Sequence, residues 1–579
     1  MAFLQRYEPL SLDFTFFLVT GEGLLPILEE TMSTRGIALL KSKSQAEEAC
    51  RMHLAGRAIA LVLLSLSLLA PSVRAQYMDL YDFGECGCPS YTSLMAQGRD
   101  GNLYGITPSG GVNNVGVVFK AGPFGGYTIL HDFDTVHGST PVGGLTLGVD
   151  GNLYGTTEEG GANGYGNIFR ITPAGAFTVI YDFTGAADGG FPVAPLTLTS
   201  DGSFYGTSYP AVAFRVSLGG DFKVIGTIPT TTYGALVQAH DGNLYGTTEF
   251  GGTYSAGTVY QIAGGKVTTL YSFDGPHGSF PVGGLAEGAD GYLYGTTTAG
   301  GDWNAGVIYR ISTTGEFNVM MNWDSVHYSA GYQAYAGLVA GADGYLYGTT
   351  IWGGLNGVGT IFQLATDGAY SVLYNFDTPT GGGAYATPMQ HTSGQLFGMT
   401  KRGGAAGNGV IYSLDDGLEP FVGLLFNRGA VGTTVGILGY GFAQASSVDF
   451  NGTPASFHVI SNTYMTATVP SGETGFVAVE TASGTLISNK IFRVTPEITG
   501  FSPPAGEVGS TLTIKGTGLI QTTKITIGGV AVQAYNVNSD SELTAKVPAG
   551  AKTGDIVVTT PGGTATSSQI FTVVKLTSR

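Results

Sequence analysis

Cysteine is almost missing from this chain of 579 residues, which has 3. So few thiols exclude a disulfide-stapled fold and a thiolate metal cluster. Charge is scarce too, at 12% of residues, about half the usual share. What there is leans acidic, with 25 Lys and Arg against 42 Asp and Glu and a formal net charge of -17. Nucleic acid is held by basic surface, so no nucleic-acid partner is expected. No apolar run reaches the roughly 20 residues that a membrane helix needs. The 94 glycines show no Gly-X-Y period, which excludes collagen. His-Glu-x-x-His, phosphate-loop, Gly-x-Ser-x-Gly and Cys-x-x-Cys motifs are all absent. Hydrophobic residues, at 43%, suffice for a packed core, and the length predicts two or more domains.

The amino terminus reads as an address. Residues 58–69, AIALVLLSLSLL, follow Arg51 and Arg57 and precede Pro71-Ser-Val-Arg-Ala75. A positive flank, a short apolar core and small residues at the exit describe a secretory signal peptide. With Met52 as the start, 52–75 is that signal, cleaved near Ala75, and 1–51 is an upstream extension foreign to the protein. The expected location is secreted, extracellular or cell surface, with no membrane span in the mature chain. Residues 1–75 together carry acidic and basic side chains in equal number, so their loss leaves the charge at -17. Cys50 goes with them. Cys86-Gly87-Cys88 remains, and two cysteines one residue apart make a strained disulfide. That pair is read as loop, without essential thiol chemistry.

Self-similarity dominates the rest. DGNLYG occurs at 100–105, 150–155 and 241–246, with variants DGSFYG at 201–206, DGYLYG at 290–295 and 343–348, and SGQLFG at 393–398. The second copy shows the unit: GGLTLG, the turn Asp150-Gly151, NLYGTTEEGG, a Gly/Asn-rich loop, GNIFRIT, and AFTVIYDF. These are four strand-like runs, and Asp-Gly predicts a tight two-residue hairpin between the first two. Leu153 and Tyr154 are adjacent, so they point to opposite faces of one strand, and both are bulky. Such a sheet must be covered on both sides. Four-stranded sheets stacked around an axis achieve this, and that is a β-propeller.

The LY-x-F strand recurs as LYDF (80–83), LHDF (130–133), IYDF (180–183), LYSF (270–273) and LYNF (373–376). Its first copy precedes the first Asp-Gly motif, and no copy follows VIYSL (410–414). The segment near 77–83 is therefore expected to complete the seventh blade and close the ring, which removes exposed edges. These repeats resemble the Gloeobacter/Verrucomicrobia tandem repeat, through DGNLYGTT…GG…G…(I/V)(F/Y) and the LY-x-F strand. The resemblance implies a repeat protein carried outside the cytoplasm and no settled activity.

From about residue 418 two new copies appear. Gly439-Tyr-Gly441-Phe442 answers Gly516-Thr-Gly518-Leu519, Val469-Pro470 answers Val547-Pro548, and Phe492-Arg-Val494 answers Phe571-Thr-Val573. Short Val/Thr/Ile-rich runs between Gly, Asn and Pro turns predict small β-sandwiches. PEITGFSPPAGEVGSTLTIKGTGL (496–519) resembles the opening of an IPT/TIG domain, and 420–442 is a looser match. The expected architecture is all-β: a seven-bladed propeller over 76–417, then immunoglobulin-like modules over 418–495 and 496–575.

Candidate ligand-binding residues fall into two sets. His137, His277 and His327 occupy equivalent loops between blades and could ring the channel mouth. As turn residues in a repeated loop they need no such role, and no metal and no cofactor is expected. Tyr165, Tyr254, Trp303 and Trp352 lie in or beside the variable Gly-rich loops and are better ligand candidates. The aromatics at 104, 154, 205, 245, 294, 347 and 397 are read as packing, and the Asp residues of the Asp-Gly turns as turn formers. The expected function is non-catalytic binding or adhesion at a surface, with polysaccharide or a cell-envelope protein as partner. The alternative is an extracellular lyase or glycoside hydrolase acting at the channel mouth, since the repeats are distantly similar to those of propeller lyases that use a His and a metal.

Overall fold

The computed structural model describes the backbone of Thr15–Thr20 and Gly23–Glu29, and residues 76–84, 94–230, 232–327 and 329–574. The segment 52–75, read from the sequence as a signal peptide, and the Cys86-Cys88 pair lie outside the described residues, as does most of 1–51. Residues 1–74 and 75–579 are separate compact units. In the first, Thr15–Thr20 pairs antiparallel with Gly23–Glu29. Among the described residues no helix is long and apolar enough to cross a membrane.

The repeats form seven four-stranded antiparallel sheets, the blades of a propeller. Blades 1 to 7 carry the turns at Asp100, Asp150, Asp201, Asp241, Asp290, Asp343 and Ser393. In blade 2 the strands run Leu145–Leu147, Leu153–Thr157, Asn167–Ile171 and Phe177–Asp182, from the axis outward. Leu153 and Tyr154 are both fully buried, on opposite faces of one strand, which is why each blade needs a neighbour on either side. Blade 7 takes Met389–Gln390, Leu396–Met399 and Val410–Asp415 from the end of the array, and Gln76–Asp82 from its beginning. Tyr81 stands opposite Ile411 and Gln76 opposite Asp415, so the ring is sealed by hydrogen bonds between the two ends.

The LY-x-F strand explains the packing of one blade on the next. Its first aromatic stacks, nearly parallel, on a ring in the outer strand of the following blade. The pairs are Tyr81–Tyr127, His131–Phe177, Tyr181–Phe222, Tyr271–Phe317 and Tyr374–Tyr77, with centroids 3.8–4.1 Å apart. The remaining two junctions lie where the motif is degenerate. There Gly226 faces Val267, and Met321 sits in one cluster with Tyr370. The last aromatic of the motif (Phe83, Phe133, Phe183, Phe273, Trp323, Phe376) is fully buried.

The Asp-Gly hairpin differs from the two-residue turn expected. In blade 2 the Gly151 N–H donates to the Gly148 carbonyl, and the Gly148 N–H to the Asn152 carbonyl. That closes a three-residue loop in which Gly151 alone has positive φ, at 87°. Blade 7 makes the same turn at Ser393-Gly394, with Gly394 at a φ of 97°, so the turn does not depend on the carboxylate.

Each carboxyl-terminal module is a two-sheet sandwich with its own core. Val435, Ile437, Phe450, Met465 and Phe492 fill the first, and Leu512, Ile514, Ile525, Leu543 and Phe571 the second. The strands Arg493–Thr495 and Gly563–Val574 close each sandwich by pairing parallel with Arg428–Ala430 and Ala505–Glu507.

Candidate functional site: the loop face of the propeller

A propeller offers two faces, and here they differ in chemistry. One is built from the Asp-Gly turns. In six blades the turn carboxylate accepts a hydrogen bond from the tyrosine hydroxyl four residues on, from Tyr104 to Asp100 through Tyr347 to Asp343, at 2.6–3.1 Å. It also accepts from the backbone N–H two residues on, as from Asn102 and Asn152. Blade 7 has Ser393 and Phe397, so carboxylate and hydroxyl are missing together. The first sandwich module docks on this face. Thr463 donates to the Arg99 carbonyl at 2.7 Å, the Arg99 guanidinium lies 4.2 Å from the Tyr464 ring centre, the Phe421 N–H donates to Thr392, and Arg428 reaches the His240 carbonyl. Those contacts touch the turns of blades 1, 7 and 4. A module that bridges blades 1 and 4 of a seven-membered ring crosses its axis, so the channel is covered on this side.

The opposite face is built from the connections between blades and the loops between second and third strands. Its frame is rigidly bonded. The connection into each of blades 2, 3, 5, 6 and 7 pairs with the loop of that blade, as Ser139 with Glu159, Tyr332 with Trp352 and Gly382 with Arg402. Asp132, Asp182 and Asn375 accept backbone N–H groups of the Gly-Gly loops. Asn113, Asn163 and Asn356 donate from those loops to the carbonyls of Phe133, Phe183 and Phe376. Around the axis the innermost segments meet main chain to main chain. A Cβ on Gly234 would lie 2.4 Å from the Gly284 nitrogen, and one on Gly283 2.5 Å from the Gly337 nitrogen. Glycine is required there by close approach.

On that frame a dipeptide varies from blade to blade at one repeat position. It reads Pro108-Ser109, Glu158-Glu159, Tyr209-Pro210, Glu249-Phe250, Thr298-Ala299, Ile351-Trp352 and Lys401-Arg402. Two positions into the same loops, blades 4 and 5 replace the carbonyl-binding Asn by Tyr254 and Trp303, which are 64% and 49% exposed. Phe250 and Tyr209 are exposed as well. Tyr165 is only just exposed and leans on Phe191, at 5.4 Å between ring centres. Trp352 is half-buried, with Arg402 5.0 Å above its ring. Blade 3 has the tight Tyr209-Pro210-Ala211 in place of a long loop.

The three histidines each bind a carboxylate of their own loop. His137, His277 and His327 pair through Nδ1 with Asp134, Asp274 and Asp324, three residues before them. The backbone N–H of each donates to the same carboxylate. The His137 N–H and then its ring hold Asp134 below the usual carboxylate range. These side chains are mostly exposed and share no partner with one another, and their bonds are those of a turn. Among the described residues no three His, Cys, Asp or Glu side chains gather as metal ligands. Glu158 and Glu249 are carboxyls of this face shifted the other way. Burial raises both, Glu159 adds to the shift at Glu158, and both raise the Tyr233 phenol that burial already pushes up.

These glutamates, the Lys401-Arg402 pair and the Asp–Tyr bonds were not singled out from the sequence. The signal was present: aligning the seven copies shows one dipeptide varying inside an invariant frame, and shows Asp and Tyr lost together in SGQLFG.

Fold and site define a seven-bladed propeller with a variable loop face, a covered turn face and two immunoglobulin-like modules. The chain belongs to the Gloeobacter/Verrucomicrobia repeat family, which it matches over residues 69–219 and 231–453. IPT/TIG domains match at 420–490 and 496–573. No curated protein matches the chain. Among solved structures it is similar to SGBP-B from a xyloglucan utilization locus of Bacteroides uniformis, at 24% identity over 26% of this chain and 48% of that one, with a TM-score of 0.15. A surface glycan-binding protein from Prevotella bryantii aligns at 20% identity over 25% and 38%, with a TM-score of 0.20. An extracellular domain assigned to a hybrid two component system of B. thetaiotaomicron aligns at 13% over 86% and 67%, with a TM-score of 0.40. The chain spans under half the length of the first two.

Proposed function

We propose that this protein is a secreted or cell-surface binding protein whose propeller loop face takes hold of polysaccharide without catalysis. The observation that carries the reading is the replacement, in adjacent blades 4 and 5, of a structural Asn by exposed Tyr254 and Trp303. An aromatic ring left in water at a position where other blades place a hydrogen-bonding amide is best accounted for by a ligand. Flat, apolar rings with a polar edge suit the faces of sugar rings. The frame beneath them is pre-bonded, so little conformational entropy is lost on binding. The first sandwich module covers the turn face, and the two modules together carry the propeller with its loop face outward. The test is affinity electrophoresis in gels containing neutral and acidic polysaccharides. Tyr254→Ala and Trp303→Ala should abolish retardation while melting temperatures hold. Retardation that both variants retain would sink the assignment of the face.

A second reading, an extracellular glycosidase or lyase, is favoured by Glu158 and Glu249, two carboxyls raised by burial on blades that flank the short loop of blade 3. Turnover of any glycan by the wild type that Glu158→Gln or Glu249→Gln removes would establish it.

A further inference from the structure

The cations of the loop face are concentrated on blade 7, against the rings of blade 6 and the connection between them. Arg402 lies 5.0 Å from the centre of the Trp352 ring, and Lys401 Nζ lies 5.2 Å from that of Tyr385. Tyr385 leans on Tyr335, with ring centres 5.3 Å apart. Gly383 sits between the two cation–ring pairs. A Cβ there would come within 3.4 Å of the Tyr385 ring and 3.9 Å of the Arg402 stem, so the cluster is continuous. Both backbones are pinned, Arg402 by two hydrogen bonds with Gly382 and Trp352 by two with Tyr332. Arg402 is exposed and takes part in none of the ion pairs formed among the described residues. The same repeat position holds Glu158-Glu159 on blade 2 and Glu249 on blade 4. At this repeat position the charge is thus positive on blade 7 and negative on blades 2 and 4, on a chain of net charge -17. An aromatic ring alone would serve a neutral sugar. A guanidinium over one ring and an ammonium over another, on consecutive residues, match a sugar that carries a carboxylate.

We infer that the blade 6–7 sector is a subsite for uronate residues of an acidic polysaccharide, with the carboxylate on Arg402 and Lys401 and the sugar ring against the aromatic side chains that hold them. The inference rests on the polysaccharide reading above and sharpens it to one class. The three glutamates on blades 2 and 4 orient the chain by repelling it from that side.

The experiment compares polygalacturonate with the same backbone fully methyl-esterified, by titration calorimetry on the full-length mature protein, with a sulfated dextran as third ligand. Wild type should bind polygalacturonate at least about tenfold more tightly than the ester, with the preference shrinking in 0.5 M salt. Arg402→Ala and Lys401→Ala should each remove about a tenfold share of that preference, leaving ester affinity and melting temperature in place. Arg402→Lys should restore part of it, which a variant merely damaged in folding would not. Sulfated dextran should bind more weakly than polygalacturonate, because the planar fork matches a carboxylate. Equal affinity for acid and ester overturns the uronate subsite and leaves polysaccharide binding standing. Preference for the sulfated dextran overturns the assignment to uronates. Binding of none of the three, nor of neutral glycans in the gel assay, brings down both readings together.

Discussion

The two faces of the propeller are made by the same repeat and obey opposite rules. On the turn face the side chains agree from blade to blade: an Asp, a Gly with positive φ, and a Tyr whose hydroxyl returns to the Asp. That face is buried in part under the first sandwich module, so each polar group must have a partner. On the loop face the backbone is as uniform, held by the Gly-Gly loops and their Asp, Asn and Phe partners, but the side chains it displays differ at every blade. Uniform backbone with divergent display is how a rigid scaffold carries a binding surface. The sandwich modules have no such division, since alternation along their strands serves one core each.

This contrast can be broken at its foundation by deleting residues 76–83. The closing strand supplies both Tyr77 and Tyr81, which stack on the outer strands of blades 6 and 1. Without it blade 7 has a bare edge, and the cooperative thermal transition of the propeller should disappear. Tyr77→Ala and Tyr81→Ala should cost about 2–3 kcal/mol each, read as urea midpoints. Survival of a full-sized transition in the deletion would mean that the ring does not depend on closure.

A comparable effect is expected at His391, buried on the turn face with Nε2 3.1 Å from the Gly101 carbonyl and Nδ1 2.9 Å from Ser393 Oγ. Burial pushes its pKa from the ordinary 6.5 down to about 4. Between those values the unfolded chain takes up the proton and the folded chain resists it. Stability from this group is therefore complete above about pH 6.5 and is lost as pH falls towards 4, by about 3 kcal/mol at most. Asp79, pushed up to about 6 by burial and Asp82, acts in the opposite sense, so the difference between wild-type and His391→Gln profiles isolates the histidine. Superimposable urea midpoints from pH 7 to 4 would show that the imidazole does not matter.

Smaller again is the Asp–Tyr bond. Tyr347→Phe should lower stability by about 1 kcal/mol. Asp343→Ser with Tyr347→Phe, which copies blade 7, should cost less than the two single changes summed, because no group is left without its partner. Strict additivity in thermal melts would dissolve the pair. Least affected should be Tyr254→Ala and Trp303→Ala, within about 0.5 kcal/mol of wild type, since both side chains are exposed. A loss above 1 kcal/mol would give these rings a structural role and level the difference between the faces.

Much of the fold was legible in the chain. The spacing of Asp100 through Ser393 counted the blades, Leu153 beside Tyr154 demanded cover on both sides, and the early LYDF at 80–83 announced the closure seen between Tyr81 and Ile411. The site was legible only in part. Tyr254 and Trp303 were visible as aromatics in variable loops, and they stand exposed there. His137, His277 and His327 were equally visible as a recurring imidazole, but the Asp three residues before each one accounts for it. The three-residue geometry of the Asp-Gly turn was hidden, because an Asp-Gly pair fits a two-residue and a three-residue loop alike and the register of the flanking strands decides between them.

Residue order alone determined the repeat, the blade count, the two-sided burial and the borrowed strand, because each follows from periodicities of two residues and of about fifty that any reader of the chain can measure. Which side chains meet was decided only in three dimensions. Arg402 and Trp352 lie on neighbouring blades fifty residues apart, Arg99 and Tyr464 on different domains, and His391 against a carbonyl almost three hundred residues away. Closing a ring brings such residues together through the angle between blades, and that angle is set by the packing of all seven at once.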